Sequence, residues 1–313
     1  MRLISARTAA GETLGVVVGD GWRAAAELLD GGPRTMADLL VAGPDTLIDL
    51  AAAAASATNI SSSSPASPVA LPVSHVLAET HLLAPLPRPG KGVAIGRNYR
   101  EHADEEGVDA PPAPLVFAKW PSSIVGPGAD VRWDPALTGQ VDYEAELAVV
   151  IGTEARRVPV EEALGHVLGY TCLDDVSARD LQFGDGQWVR GKSLDTFCPM
   201  GPALVTADEI GDPQTLAIEC RVNGEVLQRS TTAAMYFGVA EIISHCSMAF
   251  TLEPGDVIAT GTPGGVGIFR DPPVLLADGD VVEVTIERVG TLRNTCRHER
   301  VAGSVRARAG AST

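Results

Sequence analysis

Short apolar runs separated by turn-forming residues fill most of the chain from Leu82 onward. Short runs rich in Val and Ile predict strands, whereas helical periodicity is confined to a few segments. Many strands with few helices predict a mixed β fold, a sandwich or barrel-like core, rather than a doubly wound parallel sheet. The predicted strands are KGVAIG, PLVFAKW, VDYEAELAVVIG, HVLGYTCLDD, LAIECRVNG, DVIATGTPGG and DVVEVTIERVG, and the predicted helices are NYREHADEEG, PVEEALG and TAAMYFGVAEIISHCSMAF.

The N-terminal part of the chain has a different pattern. RLISARTA and TLGVVVGDG predict two strands joined by a turn at Ala10 and Gly11, and TMADLLVAG and DTLIDLAAAA predict short helices. Residues 51–72 then pass from an Ala run into Ser and Pro without periodicity, which is typical of a helix end followed by a flexible linker. We therefore expect a small α+β N-terminal domain (1–75), a larger domain (76–300) and a frayed tail (301–313).

The charge of the chain restricts its partners. The 313 residues include 24 Lys and Arg against 40 Asp and Glu, which gives a formal net charge of -16. This charge repels the phosphate backbone of nucleic acids and anionic membrane surfaces, so we expect neither as a partner. A hydrophobic content of 45% over this length is enough for one large core and a smaller module. An anionic substrate would need positive charge concentrated locally, from a metal ion, an Arg or a Lys.

Targeting and redox signals favour a cytoplasmic protein. The chain has no long uncharged apolar run, and MRLISARTAAGE lacks the apolar stretch of a signal peptide. The cysteines are odd in number, widely spaced and without a CxxC pair, which argues against disulfides and zinc-thiolate sites. We expect reduced, mostly buried thiols at Cys172, Cys198, Cys220, Cys246 and Cys296.

Acidic residues cluster in two of the predicted strands. In VDYEAELAVVIG the period of two places Asp142, Glu144 and Glu146 on one face, with alternate residues roughly 7 Å apart. The strand continues as an apolar run, so these carboxylates are expected at the rim of a buried core, although a solvated strand face is the alternative. Asp174 and Asp175 end another strand, where they either complete a metal site or cap a helix. Oxygen ligands alone suit Mg²⁺, Mn²⁺ or Ca²⁺, with open positions for water or substrate.

The chain resembles the fumarylacetoacetate hydrolase family over roughly residues 85–290. The segments GRNYREHADEEG, PLVFAKWPSSIVGPG, VDYEAELAVVIG, LDDVSARDLQ, WVRGKSLDTFCPMGP, VNGEVLQ and ATGTPGGVG occur in that family's order and approximate spacing. The resemblance is to the branch of acylpyruvases and 2-hydroxyhepta-2,4-diene-1,7-dioate isomerases. It implies a β-sandwich or β-roll catalytic domain, a divalent metal, preferably Mg²⁺, a small 2-oxo acid substrate and a homodimer paired through the catalytic domain.

The resemblance also assigns roles to individual residues. The family's metal ligands fall on Glu144, Glu146 and Asp175, with Asp174 as the rival for the third position. The implied catalytic residues are His102, Glu105 and Lys192, and the implied substrate contacts are Arg97, Tyr99, Arg179, Gln182 and Thr262.

His102 and Glu105 lie three residues apart on a predicted helix, so their side chains share a face about 5–6 Å apart. At that spacing a carboxylate can orient an imidazole as a general base, whereas a lone His on a short polar helix is usually just exposed. The family match favours the catalytic interpretation. We expect residues 99–113 to form a lid that is poorly ordered without ligand and closes over the metal.

The resemblance leaves more than one reaction open. The principal expectation is C–C hydrolysis of an acylpyruvate-type 2,4-dioxo acid, in which water activated by the His–Glu pair attacks the distal carbonyl. The alternative is an isomerase or decarboxylase acting on 2-hydroxymuconate-type diacids or oxaloacetate through the same enolate. A non-catalytic relative of the same fold is a more remote alternative.

Two other enzyme classes are disfavoured. GQWVRGKS, residues 186–193, fits the phosphate-loop pattern, but that loop needs a buried strand before it and a helix after it. Here the preceding segment is polar, and Pro199 and Pro202 disfavour a long helix after it. The chain also lacks the GxSxG pattern of a nucleophile-elbow hydrolase.

Overall fold

Two packed sheets and a two-stranded ladder form the fold of the computed structural model, which describes residues 1–59, 75–76 and 80–299. The strands are β1 Arg2–Thr8, β2 Gly11–Val18, β3 Gly21–Ala24, β4 His75–Val76, β5 Leu82–Leu83, β6 Gly92–Gly96, β7 Leu115–Ala118, β8 Ile124–Val125, β9 Asp130–Trp133, β10 Val141–Asp142, β11 Ala145–Ile151, β12 Val167–Asp174, β13 Ser177–Ala178, β14 Cys198–Thr206, β15 Ala217–Val222, β16 Glu225–Thr231, β17 Val257–Ala259, β18 Val281–Ile286 and β19 Gly290–His298. The helices are α1 Ala25–Leu28, α2 Met36–Ala42, α3 Pro44–Asn59, α4 Arg100–Glu106, α5 Val160–Ala163, α6 Arg179–Asp185, α7 Val189–Lys192, α8 Ala207–Ile210 and α9 Val239–Ala249.

The larger sheet is mixed. Its main path runs β4-β3-β2-β1-β14-β12-β11-β17-β6-β7, with β5 paired to β1 and β8 paired to β14. Most pairs are antiparallel, but β17 runs parallel to β6 and β8 runs parallel to β14. The smaller sheet has the order β16-β15-β18-β19-β9 and packs against the larger one. The predicted mixed β fold with few helices is confirmed.

Strand β11 lies at the centre of the molecule and is buried along its whole length. Leu147, Val149 and Ile151 point into the core between the two sheets. Ala148 and Val150 point into a second core on the other face of the larger sheet, which α1, α2 and α3 cover. Beyond Glu146 both faces of the strand are apolar because both are covered, so residues 147–151 form a continuous apolar run.

The predicted strand VDYEAELAVVIG is divided into β10 and β11. β10 pairs with β13, whereas β11 pairs with β12 and β17, so the chain changes partners at Tyr143 and Glu144. At this break the Asp142 carboxylate accepts a hydrogen bond from the Tyr143 amide, and the Glu144 carbonyl accepts one from Asp175. Glu144 therefore lies just outside the regular ladder.

The N-terminal strands are hydrogen-bonded to the rest of the chain, because β1 pairs with β14 in the larger sheet. Helix α3 ends at Asn59, and the remainder of the predicted linker and the predicted tail lie outside the described residues. Among the described residues, no single helix has the length and apolar composition to cross a membrane; only α2 and α3, taken together across their bend, meet those criteria.

The long helix predicted over TAAMYFGVAEIISHCSMAF is shorter in the structure, where α9 begins at Val239. Residues 232–234 form a 3-10 turn, and extended backbone at Met235 and Gly238 separates it from α9. The Glu241 side chain accepts a hydrogen bond from the Gly238 amide and fixes the helix start. The expectation for the cysteines is confirmed, since all are free and buried.

Candidate functional site

A buried group of carboxylates lies where β11 begins beside the end of β12. Glu144 precedes β11, Glu146 lies within it, and Asp175 follows β12. Because Ala145 pairs with Asp174 across the ladder, these strand ends bring the side chains together. Ligand oxygens of Glu144, Glu146 and Asp175 all lie within 4.8 Å of one another, and each residue is at most 4% exposed. The alternative of a solvated strand face is wrong.

Asp174 and Asp175 point in different directions. Oδ1 of Asp174 accepts a hydrogen bond from the Glu144 amide at 2.9 Å, and its Oδ2 is buried without a partner among the described residues. Burial raises the pKa of Asp174 to about 7. The structure thus groups Asp175, rather than its rival, with the two glutamates, and metal ligation by this group stays a prediction.

Three cations surround the carboxylates. Nζ of Lys192 lies 2.6 Å from Oε2 of Glu144 and 2.9 Å from Oδ2 of Asp175. Nη1 of Arg179 lies 2.7 Å from Oε1 of Glu144. Nζ of Lys119 lies 2.5 Å from Oδ1 of Asp175. Burial alone would lower the pKa of Lys192, but the charges of Asp175 and Glu144 outweigh it and raise that pKa, so Lys192 acts as a cation and not as a base.

The two glutamates of the group differ in their electrostatics. Burial opposes ionisation of Glu144, but Lys192 and Arg179 outweigh it and lower its pKa to about 2. Burial, reinforced by the charges of Asp175 and Glu144, holds the pKa of Glu146 well above its usual range. Within the described residues Glu146 forms no ion pair and accepts only the Gly261 amide, at 2.8 Å. A buried acidic group with one unneutralised member fits a hard divalent cation with oxygen ligands.

Lys119 is a buried site residue that the sequence analysis missed. Besides Asp175, its ammonium donates to the carbonyl oxygens of Lys192 and Phe197, the latter at 2.7 Å. It therefore ties the third carboxylate to the segment that carries Lys192. The available signal was a single lysine directly after the apolar run LVFA, because a buried charge there requires partners.

Arg179 is 2% exposed and links the carboxylate group to neighbouring polar side chains. Its Nε donates to Asp142 at 2.9 Å, and its Nη1 donates to the Gln182 side chain at 3.0 Å. Its Nη2 is buried and makes no hydrogen bond within the part of the chain that the structure describes. An unsatisfied guanidinium nitrogen is costly unless a ligand completes it, so Arg179 is suited to bind an anionic group.

His102 and Glu105 form the predicted pair on α4. Nδ1 of His102 lies 2.7 Å from Oε1 of Glu105. A carboxylate only accepts, so Nδ1 donates and Nε2 keeps the lone pair that takes up a proton. His102 is 7% exposed, so the interpretation as a merely exposed histidine is wrong. The structure describes residues 99–113 with α4 folded beside the carboxylates, and lid closure on substrate binding stays a prediction.

The turn over residues 261–265, which follows β17, contacts both parts of the site. The Gly261 amide donates to Glu146, and the Gly265 amide donates to Oε2 of Glu105 at 2.7 Å. Gly261 has φ +101°, and a side chain there would collide with Asn98. Thr262 accepts a hydrogen bond from the Gln228 side chain at 2.8 Å, so its hydroxyl proton remains to be donated.

Most of the predicted site residues line one narrow cleft, around which about 400 Å³ of non-atom space is shared with open solvent. Aromatic rings lie along its wall. Asp175 and Glu105 do not line this cleft. Tyr99 is fully buried, and its hydroxyl has no hydrogen-bond partner among the residues described. The residues predicted for the site that line it are Arg97, His102, Glu144, Glu146, Arg179, Gln182, Lys192 and Thr262.

The segment that fits the phosphate-loop pattern lacks the structure of such a loop. Helix α6, rather than a buried strand, precedes it, and it contains α7 within residues 186–193. After Ser193 the chain leads into β14. The local structure therefore matches the sequence argument against nucleotide binding.

Curated relatives of this chain include oxaloacetate tautomerases. A curated bovine relative, "Oxaloacetate tautomerase FAHD2A, mitochondrial", is 49% identical over 219 residues, 69% of this chain and 69% of that protein. Oxaloacetate tautomerase YisK of Bacillus subtilis is 48% identical over 221 residues, 70% of this chain and 73% of that protein.

Solved structures match nearly the whole chain. A fumarylacetoacetate hydrolase from Exiguobacterium antarcticum gives a TM-score of 0.81 at 36% identity, covering 96% of this chain and 100% of that one. The 2-hydroxyhepta-2,4-diene-1,7-dioate isomerase from Mycobacterium marinum gives 0.71 at 34% identity, covering 96% and 99%. The family model "Fumarylacetoacetate (FAA) hydrolase C-terminal" matches residues 91–297. The chain therefore belongs to the fumarylacetoacetate hydrolase family.

Proposed function

We propose that this protein is a divalent-metal-dependent tautomerase that interconverts the keto and enol forms of a 2-oxo dicarboxylate, with oxaloacetate as the first candidate substrate. The observation that carries the proposal is that His102, oriented by Glu105, faces the cleft into which Glu144 and Glu146 also open. The names of the curated relatives favour this isomerase alternative over acylpyruvate hydrolysis.

The reaction needs a group that moves a proton to and from carbon. Nε2 of His102 takes a proton from C3 of the keto acid. A water molecule then gives a proton to the C2 oxygen of the enolate and takes the proton of the imidazolium, which yields the enol and restores neutral His102. The reverse direction returns the proton from His102 to C3, so atoms balance without a co-reactant. The carboxylate of Glu105 stabilises the imidazolium that forms in between.

Negative charge develops at the C2 oxygen during this transfer. A divalent cation held by Glu144, Glu146 and Asp175 would supply positive charge at that oxygen. Lys192 donates two of its three N–H groups to the carboxylates of Glu144 and Asp175, so the third can donate to the substrate. Nη2 of Arg179, which has no partner among the described residues, binds the substrate carboxylate next to the 2-oxo group.

The proposal is tested by following the ultraviolet absorbance of the oxaloacetate enol after it is dissolved with Mg²⁺. The protein is expected to accelerate the approach to the keto equilibrium without forming pyruvate, and Glu144→Ala is expected to abolish the acceleration. Glu253→Gln, which changes a carboxylate at the surface, is the control. An unchanged rate, with pyruvate released from acylpyruvates instead, would favour the hydrolase.

A further inference from the structure

Arg97 forms an ion pair with Glu106 at the cleft. Its Nε lies 2.7 Å from Oε2 of Glu106, and its Nη2 lies 2.7 Å from Oε1. Both residues line the cleft, and their side chains are 32% and 15% exposed, so the pair is neither fully buried nor a free surface pair. Arg97 also has φ +55°, a conformation that is uncommon for a residue with a side chain and that concentrates at functional sites.

The paired atoms have the geometry with which arginine recognises a free carboxylate. Two parallel N–H groups face two oxygens of one carboxylate, and within the described residues Nη1 of Arg97 makes no hydrogen bond. Glu106 thus fills the position that a carboxylate of a bound ligand would occupy.

Arg97, like Lys192, lies over an aromatic ring that lines the cleft. Its guanidinium carbon lies 5.6 Å from the centre of the Trp188 ring, whereas Nζ of Lys192 lies 5.5 Å from the centre of the Phe117 ring. The two rings contact each other with centroids 5.4 Å apart. One cleft therefore offers two cationic groups that contact different rings of the same wall, an arrangement suited to a ligand with two anionic ends.

We propose that Arg97 binds the second carboxylate of the substrate, the one remote from the 2-oxo group, and that Glu106 is an internal competitor that this carboxylate displaces. The inference rests on the proposed function for the dicarboxylate class and adds the residue that selects it. Arg179 and Lys192 take the end with the 2-oxo group, and Arg97 takes the other end.

The two partners of one ion pair then have opposite effects on binding. Removal of Arg97 deletes a charge-assisted pair of hydrogen bonds with the ligand, which lowers dicarboxylate affinity by roughly ten- to a hundredfold. Removal of the Glu106 charge frees Arg97, which raises dicarboxylate affinity by roughly two- to tenfold. If the ion pair between Arg97 and Glu106 only stabilised α4, both substitutions would weaken binding together.

The experiment measures equilibrium binding by titration calorimetry in Mg²⁺, so it does not depend on turnover. The ligands are malate and 2-hydroxybutyrate, which differ in a carboxylate against a methyl group at the remote end. The variants are Arg97→Met and Glu106→Gln, with Arg229→Met as the matched control because Arg229 forms its ion pair at the surface.

Wild type is expected to prefer malate, Arg97→Met to lose that preference, and Glu106→Gln to enhance it, while 2-hydroxybutyrate affinity changes little. Equal losses for both ligands in both variants would overturn the proposal, as would an unchanged malate preference in Arg97→Met. A fall in malate affinity in Glu106→Gln would overturn the competition even if Arg97→Met is not folded. If malate binds with the expected pattern but oxaloacetate is not tautomerised, the proposed reaction fails and the assignment of Arg97 stands.

Discussion

Glu146 shows at the residue scale how the carboxylate group is balanced. It is the member without an ion pair among the described residues, and its pKa is raised by burial and by the charges of Asp175 and Glu144. Glu146→Gln removes this repulsion together with a ligand oxygen. We expect a higher Tm than wild type in EDTA, and Mg²⁺ affinity reduced by at least about tenfold. Thermal unfolding with and without Mg²⁺ measures both, and a lower Tm in EDTA would contradict this account.

Substitution of His102 distinguishes the effect of proton transfer on activity from the effect of metal binding. In His102→Ala the carboxylate group is untouched, so kcat is expected to fall by about 10² to 10⁴, the usual contribution of a general base, while Mg²⁺ affinity stays near wild type. Steady-state kinetics and calorimetric titration of Mg²⁺ test the two halves. Full turnover in this variant, on oxaloacetate and on acylpyruvates alike, would remove His102 from either mechanism.

Substitution of Lys119 measures how much stability is lost when the buried Asp175 carboxylate loses one of its two cations. Lys119→Met leaves Asp175 with one cation instead of two and removes the donor to Phe197. We expect the free energy of unfolding to fall by about 3–5 kcal/mol, measured by urea denaturation. Arg229→Met, at an exposed pair, should cost no more than about 1 kcal/mol. Equal losses for the two variants would show that the burial of Lys119 carries no special weight.

Local spacing predicted some site contacts and could not predict others. The contact between His102 and Glu105 follows from helical periodicity, because the two residues lie within one turn. Lys119 meets Asp175 across 56 positions, and Gln228 reaches Thr262 across 34. Such contacts depend on which strands become neighbours, and no periodic pattern in a single sequence encodes that.

At the scale of elements, the close approach of α6 and α7 depends on Gly191. A Cβ there would lie 2.6 Å from the Gln182 amide nitrogen and 2.9 Å from the Ala178 carbonyl oxygen, both backbone atoms that cannot turn aside. Gly191→Ala should therefore displace α7, with Lys192 at its end, and cost about 1–3 kcal/mol of stability. Activity should fall as well.

Gly184 in α6 is the matched control, because a Cβ there meets nothing within 4 Å. Gly184→Ala should be neutral or stabilise by about 1 kcal/mol at most. Urea denaturation and kinetics of both variants test the pair. A Gly191→Ala enzyme as stable and active as Gly184→Ala would show that the two helices can separate without cost.

The sequence predicts an element best where burial and strand partners stay the same along the whole segment. The sequence predicts β11 because its acidic residues alternate with apolar ones and an unbroken apolar run follows them. The break between β10 and β11 was not, because the exchange of strand partners at Tyr143 leaves the alternation of side chains intact. Helix α9 was predicted too long because an apolar stretch before Gly238 has helical spacing without helical backbone.

For the whole molecule, we propose a homodimer, as the family resemblance implies. Strand β7 ends the larger sheet, and Leu115 and Val116 on it are 39% and 38% exposed. An exposed apolar edge strand is usually covered by a partner or protected by charges, because it can otherwise pair with other chains and aggregate. A second copy of the chain would cover this edge. Light scattering at micromolar concentration should give twice the mass of the chain, and a monomer under these conditions would contradict the proposal.

The turn over residues 261–265 limits how this active site can diverge. It holds Glu146 and Glu105 through main-chain amides, which every residue except proline possesses. Most replacements at residues 262 and 263 therefore leave both donors present, whereas Gly261 and Gly265 accept no side chain, because a Cβ would collide with Asn98 and with the Leu227 carbonyl oxygen. Substitutions in the cleft wall can then change substrate preference, while the turn keeps the distance between the proton acceptor and the carboxylates. One scaffold can thereby acquire several enolate chemistries.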